Sequence, residues 1–555
     1  MSSSINYPAK SFLVVDDQRP FQLMLKGILV NLGIRQIHLV NTGEAAIQAC
    51  KEKAFDFILI DYNLGGHRKN GRQLIEELKQ KKLLKPECVT VMVTGESHRP
   101  MVLGAIELQP DDYVMKPFSQ NVIKLRLDKA YKKRQTLKPI FEAKQKDDIG
   151  IAIKECRALI ETNSRYRNVC NNLLAELLCQ AGKYDQAEYL LEKLLAVKPY
   201  TWGQIQLSRT YLHQERYAEA AKLAHQVMLQ SPLIIDAYDL SAQALVGMQR
   251  LPNALEMAIK AAELSPYSIE RQYRLCDIAR QNGMYDTVKD ACLAILEMSR
   301  KSIHQDPVHF YNYIRATLTA AQYCDDKHEK NKLKQEASLA LQRGRHDDIK
   351  ELKLNYNLFE DLCRIQMEAL DNKLLTAKKQ FYHIQSQVNE SEQAYIPNEI
   401  AYEAISLMYN IGEYETAEQI MKTPEFEHSD NQFVKDALAH LQQQNETNQI
   451  NFKTLNREGI YAYKESDYRL AVQRFDEALK IAPMNTGGTL NLILAIIQLF
   501  QKTEKYPEDL VERIKKAFHT LQGVKLPEVQ QQRYQELDEQ YQKLMSEKEY
   551  KQRRK

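Results

Sequence analysis

Five polar residues of this 555-residue chain stand where short apolar runs stop. Asp16 and Asp17 follow the run at 12–15, Asp61 closes the run at 55–60, Thr94 follows 89–93, and Lys116, just before Pro117, follows 113–115. If one scaffold brings these run ends together, three carboxylates meet and repel. A hard, oxygen-seeking cation such as Mg2+ relieves that repulsion. A carboxylate nucleophile, a cation site, a hydroxyl and an ammonium together form a set suited to receiving a phosphoryl group.

The elements that must position this set are legible as alternation. Apolar runs at 12–15, 37–40, 55–60, 89–93 and 113–115 alternate with amphipathic segments at 20–32, 44–51, 71–82, 99–108 and 120–134. Continuous Phe, Ile and Leu over so few residues suits strands buried on both faces. Five strand–helix units in series predict an α/β doubly wound five-stranded parallel sheet, flavodoxin-like in class, over residues 1–134. Ligands of such sheets sit at the carboxyl ends of the strands, which is where Asp61 falls.

On these residues the first quarter of the chain resembles the CheY-like receiver domain of two-component response regulators. The resemblance rests on Val15, Asp16 and Asp17; on Asp61; on Val93, Thr94 and Gly95; and on the stretch from Tyr113 to Phe118. It implies that Asp61 is phosphorylated by a histidine kinase, a phosphotransfer protein or a small phosphodonor in a Mg2+-dependent reaction. It implies that Asp17, Asp61 and the backbone carbonyl of Asn63 hold Mg2+, with Asp16 helping through water. Lys116 then pairs with the phosphoryl oxygens, and Thr94 and Tyr113 move together as a switch. Asn63 and Glu96 are the types that modulate dephosphorylation in chemotaxis receivers, so the resemblance implies a labile phosphate. No enzyme activity is implied beyond self-catalysed phosphoryl acceptance and autodephosphorylation.

One departure stands out. Receivers place Met-Pro shortly after the phosphorylated aspartate and a glycine about eight residues beyond it. Here Leu64 and Gly65 stand in the first place, and Gly71 lies ten residues beyond Asp61. The spacing of Gly66 and Gly71 imitates a phosphate-binding P-loop, but Arg72 and Gln73 stand where Lys and Ser/Thr are required, which excludes that reading.

After Arg134 the strand signals vanish and a repeat emerges. Gly182, Tyr184, Ala187 and Pro199 recur as Tyr217, Ala220 and Pro232, then as Leu251, Ala254 and Pro266; a fourth copy has Gly283, Tyr285 and Val288. Two further copies stand apart, with Gly412, Tyr414 and Ala417, and with Gly459, Tyr468, Ala471, Phe475, Ala478 and Pro483. Small residues let paired helices approach closely, and proline stops the second helix of each pair. The pattern resembles the tetratricopeptide repeat (TPR) and predicts an all-α solenoid. The expected organisation is a receiver at 1–134, a linker and capping hairpin at 135–165, tandem repeats at 166–300, an irregular helical segment at 301–397, further repeats at 398–484, and terminal helices with a basic tail at 485–555. A concave, peptide-binding surface is expected from Asn172, Glu176, Trp202, Ile205, Arg209, Asp239 and Gln243.

Bulk properties narrow the classes. The 76 basic and 73 acidic residues leave a net charge of +3, so no global field recruits nucleic acid or an anionic membrane. Nine cysteines without a C-x-x-C pair argue against a disulfide framework and a zinc site. Residues 490–500 are too short for a membrane span, and residues 1–11 have no basic-then-apolar leader. The expectation is a cytoplasmic response regulator. Its solenoid binds a protein ligand, and its receiver either releases that groove or pairs with a second receiver as a homodimer. The alternatives are a scaffold whose receiver only docks, or a transcriptional regulator with an unrecognised output domain.

Overall fold

The computed structural model describes residues 5–65, 69–95, 99–162, 165–345, 355–390, 396–422, 431–503 and 505–553. It divides into two compact units, Met1–His309 and Phe310–Lys555. No helix among the described residues is long and apolar enough to cross a membrane.

The first unit begins with β1 (Ser11–Val15), α1 (Arg19–Asn31), β2 (Gln36–Val40), α2 (Gly43–Glu52), β3 (Phe57–Asp61), α3 (Gly71–Gln80), β4 (Val89–Thr94), α4 (Arg99–Glu107), β5 (Asp112–Met115) and α5 (Gln120–Thr136). The strands are all parallel in the order β2-β1-β3-β4-β5. Alternate residues of each strand feed opposite faces. Leu13, Val15, Ile58, Ile60 and Met92 pack under Ala46, Ile75 and Ala105. Phe12, Val14, Phe57, Leu59 and Val91 pack under Leu25, Leu29, Ile123 and Leu127 on the other face. Both faces being covered explains the unbroken apolar runs. The register aligns the strand ends: Val15 pairs with Ile60, Asp61 with Val93, and Thr94 with Met115. The third strand starts at Phe57, later than the apolar run suggests. Asp56 is drawn off by the Ser11 hydroxyl and by Lys10 and Lys85, and despite its burial these partners hold its carboxyl at about 2.

The chain continues as α6 (Lys138–Gln145), α7 (Ile149–Glu161), α8 (Arg167–Gln180), α9 (Tyr184–Val197), α10 (Thr201–His213), α11 (Tyr217–Gln230), α12 (Ile235–Gly247), α13 (Leu251–Leu264), α14 (Ile269–Gln281) and α15 (Tyr285–Ser299). From α8 on these pack as hairpins. One residue between the two helices of each hairpin is left-handed: Gly182, Glu215, Gln249 and Gly283, at φ of 69°, 60°, 58° and 70°. In each case the next amide reaches back over the turn, from Lys183 to the Leu178 carbonyl, Arg216 to Tyr211, Arg250 to Leu245 and Met284 to Ala279. These are Schellman-type helix ends, which satisfy carbonyls the helix leaves open. Ala187, Ala220 and Ala254 are fully buried where the paired helices touch.

The second unit is helical throughout its described residues. The same helix end recurs there, from Lys373 to Glu368, Glu413 to Met408 and Asp467 to Ala462. The first of these joins helices Tyr356–Leu370 and Leu374–Glu390, inside the segment whose side-chain pattern matches no repeat. Turn geometry therefore extends the hairpin arrangement beyond the sequence motif. Inside this unit Arg315 and Glu403 form a fully buried ion pair that Asn312 completes.

Candidate functional site

The aligned strand ends place Asp16, Asp17, Asp61, Thr94 and Lys116 at one edge of the sheet. Asp16, Asp17 and Asp61 each offer a carboxylate oxygen within 4.8 Å of the others. Asp16 and Asp61 are buried and Asp17 is exposed, so the cluster opens on one side. The Lys116 ammonium sits between two of the acids, 2.7 Å from Asp16 Oδ2 and 2.9 Å from Asp61 Oδ2. It also lies 3.8 Å from the centre of the Phe21 ring, which Phe118 meets edge-on. Lys116 is joined to Pro117 by a cis peptide bond.

The charges do not balance. Three carboxylates converge where one ammonium pairs with two of them, and Asp61 Oδ1 is buried with no hydrogen-bond partner. Burial pushes the Asp61 carboxyl up to about 6, against the pull of Lys116 and with the added push of Asp16. A buried acceptor without a donor is costly, and an oxygen-seeking divalent cation is the species that three converging carboxylates suit. The residues present therefore fit Mg2+.

Local sequence explains how the acids are held. The Gln18 amide donates to Asp16 Oδ1 at 2.8 Å, and the Gln22 side-chain amide donates to the Asp16 and Val40 carbonyls at 2.5 and 2.9 Å. Gln22 thus ties β1, β2 and α1 together directly behind the acid pair. Beyond Asp61, Gly71 opens α3 so close to β3 that a Cβ there would lie 2.1 Å from the Asp61 carbonyl oxygen. The close approach is kept despite the two extra residues, so the longer loop is absorbed before Gly71. Part of that loop is stapled: Lys69 is buried and pairs with Glu77 of α3, which Lys81 also contacts. Burial works against the Glu77 charge, but these two ammoniums hold its carboxyl below the ordinary range.

The expected residues divide as follows. Thr94 is buried at the pocket edge, and Tyr113 packs partly buried against Met92 and Ala105 beneath α4. Asn63 is exposed beside the pocket and accepts a 3.4 Å hydrogen bond from the Gly65 amide. Glu96 lies outside the described residues, as do Gly66, His67 and Arg68. In the helical array Asn172 accepts from Gln206, Glu176 pairs with Lys144, and Arg209 reaches Gln206 and Asp236. Asp239 is buried in an ion pair with Arg271, and Gln243 donates to the Asp239 carbonyl.

Two residues expected on the concave surface take part in packing between helices. Ile205 is buried among Ala224, Val227, Ala237 and Leu240, because it points between hairpins rather than out of them. Trp202 packs partly buried against the cluster of Ala175, Leu191 and Leu207, with Tyr200 beside it. Sequence reasoning also missed Gln22, Phe21 and Lys69. Gln22 had a signal, being the polar residue on a helix face otherwise occupied by Leu25 and Leu29. Phe21 and Lys69 act through partners 95 and 8 residues away, and no local periodicity marks them.

Residues 12–128 match the family described as the response regulator receiver domain. The chain is 28% identical over 121 residues to the chemotaxis protein CheY-3 of Vibrio cholerae, covering 22% of this chain and 91% of that protein. It is likewise 28% identical over 121 residues to CheY of Pseudomonas aeruginosa, covering 22% of this chain and 95% of that one. Among solved structures it is similar to the receiver domain of NtrX from Brucella abortus, at 27% identity, 22% coverage of this chain, 98% of that chain and a TM-score of 0.20. A longer NtrX structure matches at 27% identity and a TM-score of 0.21, and there the match spans 23% of this chain and 28% of that chain. The N-terminal part of this protein is a CheY-like receiver domain, followed by an all-helical region.

Proposed function

We propose that the protein is a response regulator of a phosphorelay in which Asp61 accepts a phosphoryl group and the helical region is a TPR-type, protein-binding output. The observation that carries this reading is the pocket in which Asp61 Oδ1 is buried and unpartnered while Oδ2 is held by Lys116. In the reaction an Asp61 carboxylate oxygen attacks phosphorus, the bond from phosphorus to the donor's nitrogen or oxygen breaks, and the leaving group departs with the electron pair. Asp16, Asp17, Asp61 and the Asn63 carbonyl would hold Mg2+, which supplies positive charge against the phosphoryl oxygens. Lys116 is already poised to turn from Asp61 Oδ2 to a phosphoryl oxygen. Thr94 and Tyr113 follow as the switch, and Asn63 with Glu96 sets the phosphate's lifetime. A histidine kinase or phosphotransfer protein is the donor, and pairing of two receivers is a further mode of output.

Incubating the full chain with Mg2+ and a small phosphodonor tests this. Label should appear at Asp61 and be absent from Asp61→Asn; equal labelling of the two sinks the assignment. A docking-only scaffold is the rival, favoured by the two extra residues before Gly71. It requires weak Mg2+ binding, so a tight, Asp61-dependent Mg2+ affinity would exclude it.

A further inference from the structure

The receiver sits on its own helical array through few, specific contacts. Gln73 of α3 donates to the Met298 and Arg300 carbonyls at 3.1 and 3.3 Å, and Glu76 meets His304 at 3.0 Å. The densest contact is made by Glu107, the last residue of α4. Its carboxylate accepts from the Ser265 hydroxyl at 2.6 Å and from both terminal nitrogens of Arg271, on Nη1 at 3.4 Å and through a short contact on Nη2.

We infer that Ser265 and Arg271 form a carboxylate-binding site that reads a single glutamate at the end of a helix, and that α4 is its resident occupant, standing where the helix of a partner protein binds. Four observations support this. The donors all come from the array and only the acceptor comes from the receiver. Arg271 is fixed from behind by Asp239, which accepts from Nε at 3.0 Å and from Nη2 at 2.9 Å, while Nη1 also donates to the Ser265 carbonyl at 2.8 Å. The guanidinium is thereby oriented for one more carboxylate before α4 arrives.

The site is also short of acceptors. Arg274 approaches the same Asp239 at 3.6 Å and also pairs with the exposed Glu270, and among the described residues its Nε is buried without a hydrogen-bond partner. Two guanidiniums thus share one buried carboxylate, with Asp236 nearby on Arg209, and a departing Glu107 takes away the acceptor shared by the Ser265 hydroxyl and the two terminal nitrogens of Arg271. A glutamate at the end of an otherwise mainly apolar helix, as α4 presents it, fills that place; a helix without a carboxylate there does not.

The seat has a shape requirement as well. Gly104 lies three residues before Glu107, on the same helix face, and a Cβ there would come within 2.8 Å of the Tyr267 ring. The array therefore recognises a small residue followed three positions later by glutamate. The Glu107 side chain remains 26% exposed at the rim, so an external helix can reach the same donors.

This inference deepens the proposed protein-binding role of the array, and its test separates the two. The probe is a capped synthetic peptide carrying residues 99–109, added to the full chain and followed by fluorescence anisotropy. A resident occupant lowers apparent affinity by the fraction of sites it leaves vacant. The Glu107→Gln chain should therefore bind the peptide about tenfold tighter than wild type. That gain should vanish for a peptide with Glu107→Gln or Gly104→Leu. Ser265→Ala, combined with Glu107→Gln in the chain, should lose about fivefold, and both changes leave the Arg271–Asp239 contacts that hold the array in place. Equal affinity of wild-type and Glu107→Gln chains, or a gain that survives Glu107→Gln in the peptide, overturns the inference. Asp61 labelling is read on the same variants: labelling without the peptide gain sinks the acceptor site alone, and the gain without labelling sinks the phosphoacceptor reading alone.

Discussion

The Asp61 pocket and the Arg271 pocket are built from the same materials, buried carboxylates around one central cation, and they settle their charge in opposite ways. At Lys116 one ammonium pairs with two of three clustered acids, and one carboxylate oxygen has no donor. At Arg271 every guanidinium nitrogen is engaged by Asp239, Glu107 or the Ser265 carbonyl. The first pocket is left wanting a positive charge from outside the protein. The second is closed, but only because the receiver lends it a carboxylate. A surplus of acid marks a site waiting for a cation; a balance that depends on a neighbouring domain marks a site waiting for a competitor.

The largest expected effect tests that contrast directly. Arg271→Met leaves buried Asp239 with only the more distant Arg274, at 3.6 Å, and should cost about 3 kcal/mol, because a buried charge loses its main partner. Lys116→Met should cost a comparable amount without divalent cation. Added Mg2+ should recover most of the loss for Lys116→Met and none for Arg271→Met, as read by thermal unfolding. Rescue of both, or of neither, would break the comparison.

Next in size is a pH effect of unusual sign. The Asp61 carboxyl is raised from its ordinary value of 3.8 to about 6, so between those values the folded state binds more protons than the unfolded one. Stability without Mg2+ should therefore fall as pH rises from 4 to 6 and then level off, by about 3 kcal/mol for a shift of about two pH units. Asp56, held at about 2, works the other way: its contribution is full above pH 4 and is lost as pH falls toward 2. Thermal unfolding of wild type and Asp61→Asn across this range checks the assignment. A profile that Asp61→Asn leaves unchanged would contradict it.

The smallest effect concerns the lent carboxylate. Glu107→Gln keeps the shape and removes the charge at a rim position, so it should lower stability by only about 1 kcal/mol. Hydrogen exchange should nevertheless quicken along α4 and at the start of α14 and stay unchanged around Asp61. Faster exchange at Asp61 would mean that the two pockets are one structural unit.

What the sequence revealed follows from the range of the interactions involved. The five strand–helix units were legible because burial on two faces forces long apolar runs, and parallel pairing forces Asp16, Asp61, Thr94 and Lys116 to a common edge. The hairpin turns were legible at Gly182 and Gly283, where a left-handed residue selects glycine, and hidden at Glu215 and Gln249, where other residues take the same conformation. The burial of Ile205 was not legible because a helix between two neighbours has more than one apolar face. The Glu107–Arg271 contact left no trace in any pattern, since it joins a helix end of the receiver to a repeat 164 residues later and neither position recurs.

That separation also sets an order of events during synthesis. A ribosome adds about 5–20 residues per second, and N-terminal domains fold first. Arg271 is therefore translated about 10–30 s after Glu107, at that rate. Once α5 (Gln120–Thr136) has emerged, and until Arg271 follows, the newborn receiver can close its acid pocket while its α4 helix is uncovered. Every molecule passes once, while still being made, through a form in which the receiver is unrestrained by the rest of its own chain.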